Sequence, residues 1–289
     1  MLRIIIDVIL AVAIAVFGTL AIVNWRQTHA LEVQVAANRK AAREMQTQLA
    51  EVREITEKLE KAGGGHGASQ QAHWGYEGEM NPAKWGDAYP TCGTGRSQSP
   101  VDIRGPFEKA TQKLKLEYSP MPLKVLNNGH TLQVNADPGN RLVIDGEAYD
   151  LLQFHFHRPS EERLDGKPAA MVAHFVHKNA AGKLVVLGVL LAEGRENAVV
   201  RSIWSNAPRA ESAEVVIPGV AISPALMMPG KLDYFSYEGS LTTPPCTEGV
   251  TFFILKSPGS ISREQVEAFP FKLNARPVQP LNGRKISAS

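Results

Sequence analysis

The chain has 289 residues, of which 44% are apolar and 21% charged, with a formal net charge of +2. That composition is ordinary for a globular protein with a real core, and the length allows one large domain or two. The small net charge, with no basic block and no interleaving of aromatic and basic residues, excludes a nucleic-acid partner as the organising theme.

The chain opens on an apolar stretch. Leu2 to Val23 is interrupted only by Arg3 and Asp7 among charged residues. Some twenty residues at a helical rise of about 1.5 Å span roughly 30 Å, the thickness of a bilayer core. A cleaved signal peptide would carry a shorter apolar run and a small-residue cleavage site behind it. Here Val23-Asn24-Trp25-Arg26 follows, with a Trp suited to the interface, so residues 1–24 read as an uncleaved transmembrane anchor. Positive charges alone (Arg3 before the span; Arg26, Arg39 and Lys40 after it) lean toward a cytoplasmic C-terminal part.

Residues 25–62 change character. No Pro or Gly occurs from Trp25 to Lys61, and acidic and basic residues alternate. Thr28, Leu31, Val35, Asn38, Ala42, Met45, Leu49, Val52, Thr56 and Leu59 follow a 3–4 spacing over roughly five heptads, the pattern of a coiled coil. One helix lying on the domain or the membrane would show a similar stripe. Self-association is the expectation. Gly63-Gly64-Gly65-His66-Gly67 then opens a flexible linker over residues 63–72.

Beyond the linker, strand-like runs recur at Leu123–Leu126, Thr131–Val134, Arg141–Ile144, Leu151–His157, Met171–His177, Leu184–Leu191, Glu214–Ile217 and Val250–Leu255. Turns rich in Pro and Gly separate them. Helical signals are short: Asn197–Trp204, and Ser262–Phe269, where Ser262 and Gln265 are spaced as a capping box. The pattern predicts a mainly β fold with peripheral helices.

Gln153-Phe154-His155-Phe156-His157 sits at its centre. Histidines at i and i+2 of a strand project to one face. Ala173-His174-Phe175-Val176-His177 is a second strand about 20 residues on, and a hairpin would set His174 or His177 opposite the first pair. Three imidazoles on stiff strands leave the fourth position of a tetrahedral zinc open, as a catalytic site requires. Cys92 and Cys246 are the only cysteines. They are either two separate thiols or one disulfide, whose loop would be worth about 4–5 kcal/mol in the chain-entropy picture.

Further stretches surround the histidines: Trp74-Gly75-Tyr76, Gln98-Ser99-Pro100-Val101-Asp102-Ile103, Asn127-Asn128-Gly129-His130 and Ser240-Leu241-Thr242-Thr243-Pro244-Pro245-Cys246. With the two histidine runs, in this order, they resemble the bacterial type of α-class carbonic anhydrase over about Trp74 to Ile286. The resemblance implies one α+β domain, residues 73–289, on a large twisted and mostly antiparallel sheet. It implies zinc held by His155, His157 and His174, with zinc-bound hydroxide attacking CO2 to give bicarbonate and a proton. His177 is then structural.

The same resemblance gives the remaining roles. Thr242 becomes the gatekeeper that orients the hydroxide and donates to Glu161, and His130 the proton shuttle. Val176, Val186, Leu241, Thr243 and Val250 line the CO2 pocket. Gln153 and Asn274 fix ligand imidazoles from behind. Cys92 and Cys246 match a disulfide of secreted members, which outweighs the charge count and places the domain outside the cytoplasm, on the periplasmic side if the cell is Gram-negative. Three departures stand out: Val172 where a Glu is common, Glu162 where a His is common, and Phe252 where a Trp is common. The competing expectation is a catalytically silent binding module displayed on a membrane stalk; such relatives lose a zinc ligand, and this chain keeps all three.

Overall fold

The computed structural model describes residues 73–289, so the expected anchor (1–24), coiled-coil helix (25–62) and linker (63–72) lie outside the described residues. The described strands are β1 (Asp102–Ile103), β2 (Glu108–Lys109), β3 (Leu114–Glu117), β4 (Met121–Asn127), β5 (Leu132–Asn135), β6 (Arg141–Ile144), β7 (Glu147–His157), β8 (Arg163–Leu164), β9 (Lys167–Pro168), β10 (Met171–Lys178), β11 (Leu184–Glu193), β12 (Val215–Ile222), β13 (Tyr234–Ser240), β14 (Glu248–Leu255), β15 (Gly259–Ile261) and β16 (Ser287–Ala288). The helices are short: α1 (Trp85–Ala88), α2 (Pro90–Thr94), α3 (Ala198–Asn206) and α4 (Arg263–Ala268).

Most strands join one large sheet, ordered β12-β4-β5-β7-β10-β11-β14-β13-β16-β2, with β3, β6 and β15 paired at its sides. Its pairs are antiparallel except β11 with β14, β11 with β15, and β16 with β2. A small sheet of β1, β8 and β9 stands apart.

β10 lies at the heart of the sheet. Met171 to His177 are all buried, as expected of a strand covered on both faces. Alternation then sorts the side chains. Phe154, Phe156 and Phe175 point to one face, where they join Leu187, Val189 and residues Val199, Val200 and Ile203 of α3. His155, His157 and His174 point to the other. That second face continues as an apolar cluster of Val172, Val176, Val186, Leu190, Val250, Phe252 and Ile254.

All eight expected strands are present, several longer than the sequence pattern alone shows. Both expected helices are capped as their sequences dictate. The Asn197 side chain accepts from the Val199 and Val200 amides, and Ser262 and Gln265 form the reciprocal capping box. β13 was not anticipated. Its run Tyr234-Phe235-Ser236-Tyr237-Glu238-Gly239-Ser240 breaks apolar alternation with Ser and Gly, yet Ser236, Gly239 and Ser240 are buried against β14 and the 97–100 segment.

Cys92 and Cys246 form a disulfide across 154 residues. It ties α2 to the loop between β13 and β14, and packs with Trp85, Trp74, Tyr76 and Tyr89.

Candidate metal centre

β7 and β10 run antiparallel with His174 directly opposite His155 and Val172 opposite His157. The hairpin therefore brings three imidazoles together, and one ring nitrogen from each lies within 4.8 Å of the others. Ring centroids are 5.0 Å apart for His155–His157, 5.7 Å for His155–His174 and 5.0 Å for His157–His174. His177 turns to the opposite face, where the Tyr118 hydroxyl meets its Nε2 at 2.6 Å. The choice left open by spacing is thus made by strand parity: His174 joins the pair and His177 packs.

The outward nitrogen of every ligand histidine is already engaged. His155 Nδ1 donates to Gln153 Oε1 at 2.8 Å. His157 Nδ1 donates to the Asn274 carbonyl at 2.7 Å. His174 Nε2 donates to Glu162 Oε2 at 3.0 Å. These bonds fix each tautomer and leave His155 Nε2, His157 Nε2 and His174 Nδ1 as lone pairs facing inward. His157 Nε2 is buried with no hydrogen-bond partner. An orphaned buried acceptor flanked by two others is costly in a protein and suited to a cation. Three neutral imidazoles, with no fourth ligand grouped with them among the described residues, are the donor set of an open zinc site.

Asn274 holds the His157 ring through its main-chain carbonyl. Its side chain does other work: Oδ1 accepts from the Arg158 amide at 2.7 Å, and Nδ2 donates to the carbonyls of His130 and Phe156 at 3.0 and 2.9 Å. Gly188 of β11 sits directly opposite His174 of β10. A Cβ there would come within 2.5 Å of Ile254 Cδ1 and 3.6 Å of the His174 ring.

Electrostatics favour neutral ligands at two of the three positions. Burial, with the His174 charge adding to it, pushes His155 down to about 3. Burial and the two neighbouring imidazoles hold His157 well below its ordinary value, against the Asn274 carbonyl. His174 differs. Burial lowers it, but Glu162 and Glu161 outweigh that and raise it.

Glu161 is fully buried beside the ligands. Its Oε1 accepts the Arg276 amide at 2.9 Å, and its Oε2 lies 3.5 Å from His157 Nε2 and 3.8 Å from His174 Nδ1. Burial raises its carboxyl to about 7, against pulls from His174, the Arg276 amide and the Thr242 hydroxyl. A divalent cation at the inward nitrogens would favour the carboxylate. Thr242 is buried, and its hydroxyl lowers the pKa of that same carboxyl.

His130 is partly exposed and stacks on Trp74, ring centroids 3.7 Å apart and planes 11° from parallel. His73 meets it edge-on at 6.2 Å. Burial and the His73 charge lower its pKa below 6.5, while Glu211 opposes them. Val176, Val186 and Val250 are buried in one apolar cluster with Leu241 packed against it, and Thr243 follows in the same loop, partly exposed. Phe252 is buried rather than at a rim, stacked on Tyr237 and edge-on to His174 at 5.9 Å.

Comparison with known proteins reaches the same place. The family model described as eukaryotic-type carbonic anhydrase matches residues 80–289. A carbonic anhydrase of Pectobacterium carotovorum is 43% identical over 226 residues, covering 76% of this chain and 92% of the relative. One from Neisseria gonorrhoeae is 41% identical over 221 residues, covering 74% and 87%. Among solved structures, the α-carbonic anhydrase of Thermovibrio ammonificans in complex with the inhibitor sulfanilamide superposes with a TM-score of 0.71 at 41% identity, covering 75% of this chain and 99% of that one.

Proposed function

The chain belongs to the eukaryotic-type, or α-type, carbonic anhydrase family, and from that premise we propose how its residues carry out the reversible hydration of CO2 to bicarbonate and a proton. The observation that carries the reading is the convergence of His155, His157 and His174 with every outward nitrogen engaged.

Those three residues would hold the zinc, and once bound it would supply Lewis acidity that brings the pKa of a water it binds to near 7. The rest of the chemistry belongs to the protein. Thr242 accepts a hydrogen bond from the attacking oxygen and donates its own hydrogen to Glu161, so the oxygen is held with a lone pair turned toward carbon. The Arg276 amide keeps Glu161 in place for that exchange. Val176, Val186, Leu241 and Val250 offer CO2, which has no net dipole, a wall that does not compete with water for hydrogen bonds.

His130 takes the product proton and passes it to buffer. Below its lowered pKa the ring is already protonated and accepts nothing; above it the neutral ring accepts. The shuttle-dependent rate should therefore rise through a midpoint below pH 6.5. In weak buffer, His130→Ala should cut turnover by about 10-fold or more, and added imidazole should restore it. Equal rates in all buffers would remove His130 from the pathway. The overall reading is tested by stopped-flow CO2 hydration with zinc measured on the same sample: bound zinc without hydration would favour the silent binding module.

Residues 1–24 anchor this domain to a membrane, 25–62 join it to further copies through a coiled coil, and 63–72 give it reach. The domain faces an extracytoplasmic space, periplasmic in a Gram-negative cell. Support comes from the apolar run, the heptad pattern and the Cys92–Cys246 disulfide, a bond rare in reducing cytosol. Protease added outside spheroplasts should remove residues 73–289; full protection would reverse the topology.

A further inference from the structure

Two acidic residues follow the Pro159-Ser160 turn, and the fold buries both. Glu161 serves the Thr242 side of the centre. Glu162 goes elsewhere: its side chain has no exposure, and its Oε2 receives His174 Nε2–H at 3.0 Å. Its Oε1 receives the Tyr237 hydroxyl at 3.3 Å. The main chain is pinned too, because Ser160 Oγ donates to the Glu162 carbonyl at 2.7 Å and accepts the Ala169 amide at 2.8 Å. Burying a carboxylate is expensive unless it is bonded on both oxygens, and both are bonded here.

The strand that carries His174 offers nothing equivalent. Val172, two residues earlier on the same face of β10, is fully buried among Leu190, Phe252 and Ile254 and has no group to receive a proton. If Glu162 were absent, His174 Nε2–H would face apolar side chains and the ring would be free to present either nitrogen inward.

We propose that Glu162 is the positioning residue for His174: a carboxylate supplied by the loop after β7, in place of one on β10, locks the His174 tautomer with Nδ1 toward zinc and raises its strength as a ligand. Tyr237, held by stacking on Phe252 at 5.0 Å, fixes the carboxylate in turn. A negative charge behind an imidazole strengthens its hold on a metal, and losing such a partner typically costs about 10–100-fold in affinity.

This inference rests on the zinc reading, and the experiment separates the two. Zinc dissociation constants are measured by chelator competition on the wild-type chain, Glu162→Gln and Glu162→Ala, with the visible spectrum of each after cobalt(II) substitution. Glu162→Gln preserves shape and an acceptor oxygen, so it keeps the test open if the Ala variant does not fold. The expected result is weaker zinc binding in Glu162→Gln by about 10-fold, and in a folded Glu162→Ala by up to about 100-fold, with altered cobalt bands. Affinities within twofold of wild type and unchanged bands would overturn the proposal, whatever happened to melting temperature. A wild-type chain that binds no zinc would instead overturn the metal reading itself.

Discussion

His155→Ala should abolish CO2 hydration and strip the protein of stoichiometric zinc. Apparent zinc-binding energies of about 10–16 kcal/mol, shared over three or four ligands, make each ligand worth roughly 3–5 kcal/mol, or 10²–10⁴ in affinity. The loss should be specific. His155 is partly exposed, its Gln153 partner lies on the same strand, and its removal leaves the Phe154–Phe175 stack on the far face intact. The variant should therefore melt much as the metal-free wild type does. His177→Ala makes the opposite prediction. It loses the Tyr118 contact inside the core and should lower stability while keeping zinc. Zinc retained at one equivalent with activity in His155→Ala would mean that the convergent nitrogens are not the metal site.

Thr242→Ala should leave zinc content unchanged and lower kcat/KM by about 100-fold or more, the scale seen when one preorganised hydrogen-bonding group is taken from a reacting oxygen. Thr242 is buried, and the outward nitrogen of each ligand histidine is held by another group, so the effect would come from orientation of the attacking oxygen. Thr242→Ser keeps the hydroxyl and should recover most of the rate. A Thr242→Ala enzyme with wild-type kcat/KM would show that the hydroxyl does not touch the reaction. Loss of zinc in the same variant would instead make Thr242 a support for the ligands.

Much of this centre was legible in the chain because its parts are local. His155 and His157 share a strand, His174 returns on the next, and parity in two strands puts all three on one face. The strands themselves were readable wherever a buried face alternates with a polar one, or where an unbroken apolar run such as Leu184–Leu191 signals burial on both sides. β13 was not readable, because its polar residues are buried through partners as far away as Ser99. The role of Asn274 was half legible. A residue type can be matched from sequence, but a main-chain carbonyl bonding a ring 117 residues away leaves no mark on composition. Glu162 was hidden for a related reason. Ser160-Glu161-Glu162-Arg163 reads as a solvated turn, and only Tyr237 and His174, distant in sequence, reveal it as interior.

Asn274 also sets an order of assembly. A nascent chain that has emerged only to residue 273 already contains all three imidazoles and the hairpin that aligns them. It lacks the carbonyl that holds His157 and the amide group that ties down the backbone of His130 and Phe156. Such a chain could meet metal, but with one ring unfastened and the loop bearing the proton carrier adrift. Synthesis thus delivers the binding groups first and their fastening last, so ribosome-stalled chains ending before and after Asn274 should differ in how tightly they keep zinc.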